Sequence, residues 1–320
     1  MIQSNFVLSY VYSVLRPASF ALLSLVLSTG AQASNRPVFG VYAHEEKHWQ
    51  PYVGAHFPLV VFRYYTGQPT EHQVTVIKKL SRTSNVIVNF EFMSGIRQRK
   101  SLDPLPPFEK IEPKLHSMLD GLKDIPIAAV SFDEENSLNM GKIRYLNALY
   151  KSAKGHSPNK RFVQWIVLPK RNGRVNFQGV DLLDTDGWII DPYLSSGKDY
   201  EEMVSGLKET SKPIYSVVWA APGWNVGAGY RVRANPSWWN DTGWKTFYNR
   251  VAVNKKNRIP TILYMYGLNK KKTINLWAGN NCDRGFFFDL INVTLPHLES
   301  ATPSLKLPDS RPDWIPSYCD

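Results

Sequence analysis

The chain contains nine short apolar runs separated mostly by spacers of helix length, and this alternation is the feature that most constrains its fold. Several runs lack strict alternation of apolar and polar residues, as expected for strands covered on both faces. The runs are VFGVYA (38–43), LVVFRYY (59–65), VIVNFEF (86–92), IAAVSF (127–132), FVQWIVL (162–168), GWIID (187–191), PIYSVVWA (213–220), TILYMYG (261–267) and GFFFD (285–289). Strands that alternate with helices through short links predict a parallel sheet.

The spacers carry apolar residues at three- and four-residue steps, the period of an amphipathic helix. The predicted helices lie at 70–82, 111–123, 140–154, 199–211 and 243–256. Eight or nine such units predict an α/β protein with a single (β/α)8 TIM barrel rather than an open sheet. One run is in excess, either the first or GFFFD. No dinucleotide-binding or P-loop glycine pattern follows the first run.

The N-terminus has the features of a secretory signal peptide. Arg16 and Pro17 precede ASFALLSLVLSTG, and Ala31-Gln32-Ala33 fits small-residue cleavage. A membrane anchor is the alternative, but Arg16 and Pro17 divide the apolar stretch, and neither half reaches the ~20 residues of a span. We therefore expect a signal peptide at 1–33, a catalytic barrel at 34–300 and a C-terminal tail at 301–320 packed on it. The mature chain is then secreted or periplasmic, without an integral membrane segment, and monomeric.

The chain has two cysteines, Cys282 and Cys319. In an exported protein they predict one disulfide that ties the tail to the last barrel segment, with two unpaired thiols as the alternative. Neither their number nor their spacing supports a zinc site or thiol catalysis. We expect no metal and no cofactor.

The formal net charge of +11 suggests an acidic partner. Four basic runs follow predicted strands and so fall on one edge of the barrel. They are Arg97–Lys100, Pro169–Arg174, Arg231 with Arg233, and Lys270–Lys272. A solvated loop surface is the alternative for any single run, but four on one edge favour an anionic chain as partner. A further basic run at 255–258 precedes the eighth apolar run and lies at the opposite edge, so the bias is incomplete. We expect an anionic or amino-sugar polysaccharide as partner, and no nucleic acid.

The active site of a TIM barrel lies at the C-terminal ends of its strands. Acidic and aromatic residues collect there, whereas the strand starts carry turn residues. Those at the ends include His44, Glu45, Glu46, Arg63, Tyr64, Glu91, Asp133, Glu134, Glu135, Asp191, Tyr193, Trp219, Trp224, Tyr266 and Asp289.

Three consecutive acids, Asp133 to Glu135, follow the apolar run IAAVSF. Asp133 and Glu135 are two apart, so in an extended chain their side chains point the same way. Two carboxylates in one cleft repel each other, and one then tends to keep its proton, as glycosidic bond cleavage requires. Alternatively, the acids support the N-terminus of the next helix, with Asn136 as its cap.

An Asp-x-Glu that ends the fourth strand resembles the chitinase and hyaluronidase-type (β/α)8 glycoside hydrolases, and GWIIDPYL is similar to a later strand of these families. The resemblance covers Asp133, Glu135, Asp191 and Tyr193; Ala129 and Ser131 stand where the fuller chitinase pattern has further acids. It implies that Glu135 is the general acid and that Asp133 orients a substrate acetamido group.

The sequence thus predicts a secreted glycoside hydrolase for an acidic or amino-sugar polysaccharide. The predicted catalytic residues are Glu135, Asp133, Glu134, Asp191 and Glu91. The predicted substrate-binding residues are Tyr193, Trp219, Trp224, Arg63, Tyr64, Tyr266, Arg231 and Arg233. Two alternatives stay open: a non-catalytic carbohydrate-binding barrel, and a metal-dependent phosphodiesterase that uses Ala43–Glu46.

Overall fold

Eight parallel strands form a closed barrel. The computed structural model describes residues 39–43, 58–64, 71–90, 105–135, 138–192, 197–219, 241–264, 266–269 and 272–275. The barrel strands are β1 (Phe39–Ala43), β2 (Leu59–Tyr64), β3 (Asn85–Phe90), β4 (Ala129–Glu135), β5 (Phe162–Ile166), β8 (Trp188–Ile190), β9 (Ile214–Trp219) and β10 (Thr261–Tyr264). Their order around the barrel is β1-β10-β9-β8-β5-β4-β3-β2. The predicted TIM barrel is confirmed.

The first apolar run is a barrel member, because β1 pairs with β2 on one side and with β10 on the other. Phe39 lies opposite Thr261, and this ladder closes the barrel. The ninth run, GFFFD, lies outside the described residues, as do Cys282 and Cys319 and the proposed signal peptide.

Five helices occupy the predicted spacers. They are α1 (Glu71–Leu80), α2 (Phe108–Gly121), α3 (Met140–His156), α4 (Gly197–Lys208) and α5 (Asp241–Asn257). The first four each present an apolar stripe to the outside of the barrel; for α3 the buried residues include Ile143, Leu146 and Leu149. Each of the five sequence patterns therefore marks a real helix, with ends that differ by a few residues.

Two short hairpins depart from the sequence prediction. The connection between β5 and β8, described throughout, carries β6 (Lys170–Arg171) paired with β7 (Arg174–Val175) in place of a helix. The run TILYMYG is not one strand: β10 ends at Tyr264, and β11 (Tyr266–Asn269) pairs with β12 (Lys272–Asn275) outside the barrel.

Alternate strand residues divide the core into two layers, because successive side chains point to opposite faces of a strand. Inside the barrel lie Tyr42, Leu59, Val61, Ile87, Ala129, Val163, Trp165, Ile189, Val217 and Ile262. The outward residues, such as Val60, Phe62 and Phe132, pack against the helices in a larger cluster.

Gly40 allows β1 and β2 to approach each other. A Cβ at this position would lie 2.7 Å from the carbonyl oxygen of Leu59 and 2.8 Å from the Leu59 Cβ. Because the obstacle includes backbone, a side chain at position 40 would push the two strands apart.

We expect Gly40→Ala to lower the free energy of unfolding by about 1–3 kcal/mol, the usual cost of overpacking. The control is Gly155→Ala in α3, where nothing lies within 4 Å of the added Cβ. That change should raise stability by up to about 1 kcal/mol, because alanine favours the helix. Urea denaturation followed by circular dichroism measures both; equal effects would show that the approach at Gly40 does not constrain the barrel.

Candidate active site at the carboxyl edge of the barrel

The three consecutive acids are the last three residues of β4 rather than residues that follow the strand. Phe132 pairs with Gln164 of β5, and the next pair joins Glu135 to Ile166, so β4 advances three residues while β5 advances two. Such a bulge re-aims side chains and is common next to active sites. The bulge also interrupts the regular ladder, so spacing alone does not place Asp133 and Glu135 on one side.

The following helix has its own N-cap residue. Asn139 is the N-cap of α3, and its Oδ1 accepts a hydrogen bond from the Lys142 backbone N at 2.9 Å. The first turn of α3 contains no acidic residue. The alternative in which Asn136 caps the helix is therefore wrong, because Asn139 fills that position. The acids belong to the strand end.

A polar layer lies inside the barrel directly below this strand end. The register places Arg63 beside Asn89 and Asn89 beside Ser131, which is two residues before Asp133. Ser131 Oγ donates to Asn89 Oδ1 at 3.0 Å, and Asn89 Nδ2 lies 3.5 Å from the Tyr42 hydroxyl, to which it donates. Four neighbouring strands thus change from apolar to polar side chains towards their carboxyl ends.

Trp165 of β5 lies beside the same polar layer and contacts Tyr42. Its ring meets Tyr42 edge-on, with ring centroids 5.3 Å apart and an interplanar angle of 73°. The indole is 4% exposed. Within the described part of the chain, its Nε1 has no hydrogen-bond acceptor. A buried donor without an acceptor is costly and calls for a ligand or a water.

Asp191 directly follows β8 and is buried, with 1% exposure. Its backbone N donates to the Ile166 carbonyl at 3.1 Å, so the ladder between β5 and β8 continues to this residue. Arg250 of α5 is also buried and donates from Nη2 to the Pro192 carbonyl at 2.7 Å. Burial lowers the pKa of Arg250, while Tyr200 and then Asp191 act to raise it. Arg250 therefore fixes the backbone after β8 and provides charge close to Asp191.

The other predicted site residues fall into four groups. Arg63 is 7% exposed and belongs to the polar layer. Tyr64 is fully buried on the opposite side of β2, where its ring packs edge-on against Phe90 at 5.9 Å, which is the position of a core side chain. Trp219 is the last residue of β9 and Tyr266 the first of β11. Those outside the described residues are Glu91, Tyr193, Trp224, Arg231 and Arg233.

Tyr42, Asn89, Ser131 and Trp165 are not among the site residues predicted from the sequence. Two of them could have been predicted, because Asn89 and Ser131 are polar residues within otherwise apolar runs. Such a residue in a strand covered on both faces needs a partner inside the protein. Trp165 carried no signal, because an aromatic residue in a buried strand is ordinary.

Two further observations concern the described ranges alone. None of their helices combines the length and the apolar character that crossing a bilayer requires. Among these same residues, no three His, Cys, Asp or Glu side chains are grouped so that they could hold a metal ion. His44, Glu45 and Glu46, on which the phosphodiesterase alternative depends, lie outside them.

We expect Arg250→Met to lower the free energy of unfolding by about 3–5 kcal/mol, because it removes a buried positive charge that interacts with the buried Asp191 and donates to the Pro192 carbonyl. Arg144→Met is the matched control. Arg144 is exposed on α3, with its Nε donating to the Met140 carbonyl, and we expect a change within about 0.5 kcal/mol. Thermal and urea unfolding measure both. A similar loss in the two variants would show that Arg250 has no special role at Asp191.

Comparison by sequence gives no match to a protein family and none to a curated protein. By structure, the chain is similar to the endoglucanase Cel5A of Pseudomonas stutzeri, with a TM-score of 0.51, 12% identity, and coverage of 86% of this chain and 97% of that one. It is similar to a GH10 xylanase of Thermobacillus composti, with a TM-score of 0.50, 8% identity, and coverage of 72% and 84%.

The carboxyl transferase domain of Rhizobium etli pyruvate carboxylase also matches, with a TM-score of 0.48 and 8% identity over 72% of this chain. This chain spans only 40% of the length of that structure. At these identities the likenesses show the barrel fold and nothing finer.

Proposed function

We propose that the protein is a secreted glycoside hydrolase that cleaves an acidic or amino-sugar polysaccharide by carboxylate general acid/base catalysis. One observation carries the proposal: Asp133, Glu134 and Glu135 end a barrel strand at a bulge. They do so at the edge where TIM barrels have their active sites. The similarity in fold to an endoglucanase and a xylanase supports it as analogy.

In this proposal Glu135 donates a proton to the glycosidic oxygen, and Asp133 positions either Glu135 or the substrate. Glu134 has the lesser role. The bulge bears on this assignment, because one extra residue in a strand turns the side chains that follow it to the other face, which exchanges Glu134 and Glu135. Substituting Glu134 and Glu135 in turn therefore tests which of them is the proton donor.

Asp191 and Glu91 are the candidates for the second carboxylate. β4 and β8 are separated only by β5, and Glu135, Ile166 and Ile190 lie at one level of the ladder. Two strand spacings are about 9.5 Å, which is the upper end of the roughly 6.5–9.5 Å carboxyl separation of inverting enzymes. Glu91 follows the adjacent strand β3, and one spacing suits the ~5 Å of retaining enzymes. The identity of the second carboxylate would therefore decide the stereochemical outcome.

The polar layer offers groups for a sugar. Arg63 can bind a carboxylate or hydroxyl, and the Trp165 Nε1 can donate to a sugar oxygen or an acetamido carbonyl. We place Trp219, Trp224, Tyr193 and Tyr266 in the same cleft as sugar-stacking residues. Cleavage after residue 33, the Cys282–Cys319 disulfide and the monomeric state stay predictions.

We expect Glu135→Gln to reduce turnover by roughly 10²–10⁴-fold, because the amide cannot donate the catalytic proton. Reducing ends released from hyaluronan, chitosan and polygalacturonate measure turnover, and calorimetry measures binding, which should persist. Glu209→Gln, an exposed residue after α4 at the opposite edge, is the control and should be fully active.

If Glu134→Gln is inactive while Glu135→Gln is active, the proton donor is Glu134. If the wild type binds these polymers and releases no reducing ends from any of them, the protein is a carbohydrate-binding barrel and the proposed hydrolase is wrong.

We expect Trp165→Phe to raise KM about 3- to 10-fold, which corresponds to one hydrogen bond of ~1 kcal/mol, and to change kcat little. Trp188→Phe removes the same volume from the outer layer, where the Trp188 Nε1 donates to Thr210 Oγ1 at 3.0 Å. That control should lower stability more and leave KM unchanged. An equal rise in KM in both variants would mean that the Trp165 donor does not touch substrate.

A further inference from the structure

The β6–β7 hairpin is a preformed projection at the carboxyl edge of the barrel. It turns through Asn172 and Gly173, both with positive φ, 53° and 77°. An Asn-Gly pair with positive φ at both positions fits the tight turn whose twist suits two antiparallel strands. The hairpin begins four residues after β5, the strand next to β4, and so lies at the same edge as Asp133 to Glu135.

Contacts on both strands hold this hairpin in place. Lys170 Nζ lies 2.6 Å from Asp199 Oδ2, and the Asp199 side chain is only 8% exposed. The Val175 backbone N donates to Glu202 Oε1 at 3.3 Å, and the Asn176 backbone N donates to the Pro169 carbonyl at 2.9 Å. The hairpin is thereby anchored on the first two turns of α4, and little ordering is needed when a ligand binds.

Two arginines face each other across the turn. Arg171 and Arg174 are a directly opposite antiparallel pair, and both are exposed. Opposite residues share one face, with Cβ atoms about 5 Å apart, and like charges in that arrangement are destabilising. Arg171 Nη1 lies 3.4 Å from Gln178 Oε1, but no described carboxylate forms an ion pair with either guanidinium. Lys170, by contrast, is neutralised by Asp199.

We propose that Arg171 and Arg174 form a subsite for an anionic group, a carboxylate or a sulfate, on the polysaccharide. This subsite rests on the proposed function, because it specifies which charged group the proposed polysaccharide substrate carries. Two adjacent guanidinium groups offer planar, paired donors that match either anion, and a bound anion removes the repulsion between them.

A polysaccharide suits this subsite better than a nucleic acid. Single-stranded nucleic acids are bound by basic grooves combined with aromatic stacking residues. Between Lys170 and Val175 the hairpin contains no aromatic residue.

The test measures binding of the full-length protein by calorimetry at 50 and 300 mM NaCl. The probes are polygalacturonate, which carries only carboxylates, dextran sulfate, which carries only sulfates, neutral dextran, and an oligothymidine. The variant Arg171→Gln/Arg174→Gln is compared with Lys255→Gln/Lys256→Gln, which removes the same charge at the end of α5, at the opposite edge of the barrel.

We expect the arginine variant to bind one anionic polymer at least 10-fold more weakly at 50 mM NaCl, with less dependence on salt, and the lysine variant to stay within 2-fold of wild type. The polymer that loses affinity identifies the anion. The melting temperature should not fall, because a repulsive pair has been removed.

Equal losses in the two double variants would overturn the subsite, and so would an affinity for oligothymidine that exceeds that for both polymers. These outcomes do not decide whether the protein is a hydrolase. Loss of polymer binding in the arginine variant, with no cleavage by wild type, would uphold the subsite and reject the enzyme. Cleavage that requires Glu135 but is unchanged in the arginine variant would reject the subsite and uphold the enzyme.

Discussion

The pairing of β1 with β10 is the interaction on which the rest of the structure depends. It converts an eight-stranded sheet into a closed barrel, in which each strand has a neighbour on both sides. Closure removes the unpaired edges of an open sheet. Because every strand is parallel, closure also brings all eight carboxyl ends to one rim, where residues far apart in the sequence become neighbours.

Much of this arrangement could be predicted from the sequence, because burial on both faces produces continuous apolar runs and the helices carry their own period. The closing role of the first run could not be predicted. Whether a run is inside or surplus depends on pairing between chain segments that are more than 200 residues apart. The break between Tyr264 and Tyr266 was missed for a similar reason: TILYMYG is uniformly apolar, and only pairing of β11 with β12 divides it.

The candidate site was predictable in place but not in detail. The position of the acids at a strand end follows from sequence, whereas the bulge between Phe132 and Glu135 depends on the register of β4 against β5. The same limit applies to Tyr64, which occupies a strand end but faces the helices, and to Asn139, which caps α3 where Asn136 was the candidate. One residue of register decides whether Tyr64 faces the helices or the barrel interior, and the residue at which α3 begins decides which asparagine caps it.

Polar contacts at the two edges of the barrel have different parts in the proposed function. At the amino edge, Lys154 Nζ lies 2.9 Å from both Asp184 Oδ1 and Asp186 Oδ1, and Lys212 donates to the Leu183 carbonyl at 2.8 Å. These contacts fasten the segment before β8, and they suit the face that serves stability in such barrels.

At the carboxyl edge, the described residues include a buried indole N–H without an acceptor and two opposed guanidinium groups without an acidic partner. Both arrangements cost stability in the ligand-free protein, and both costs would be offset by a ligand rich in oxygen and negative charge. In the proposed function, these groups are the part of the carboxyl edge that contacts the polysaccharide.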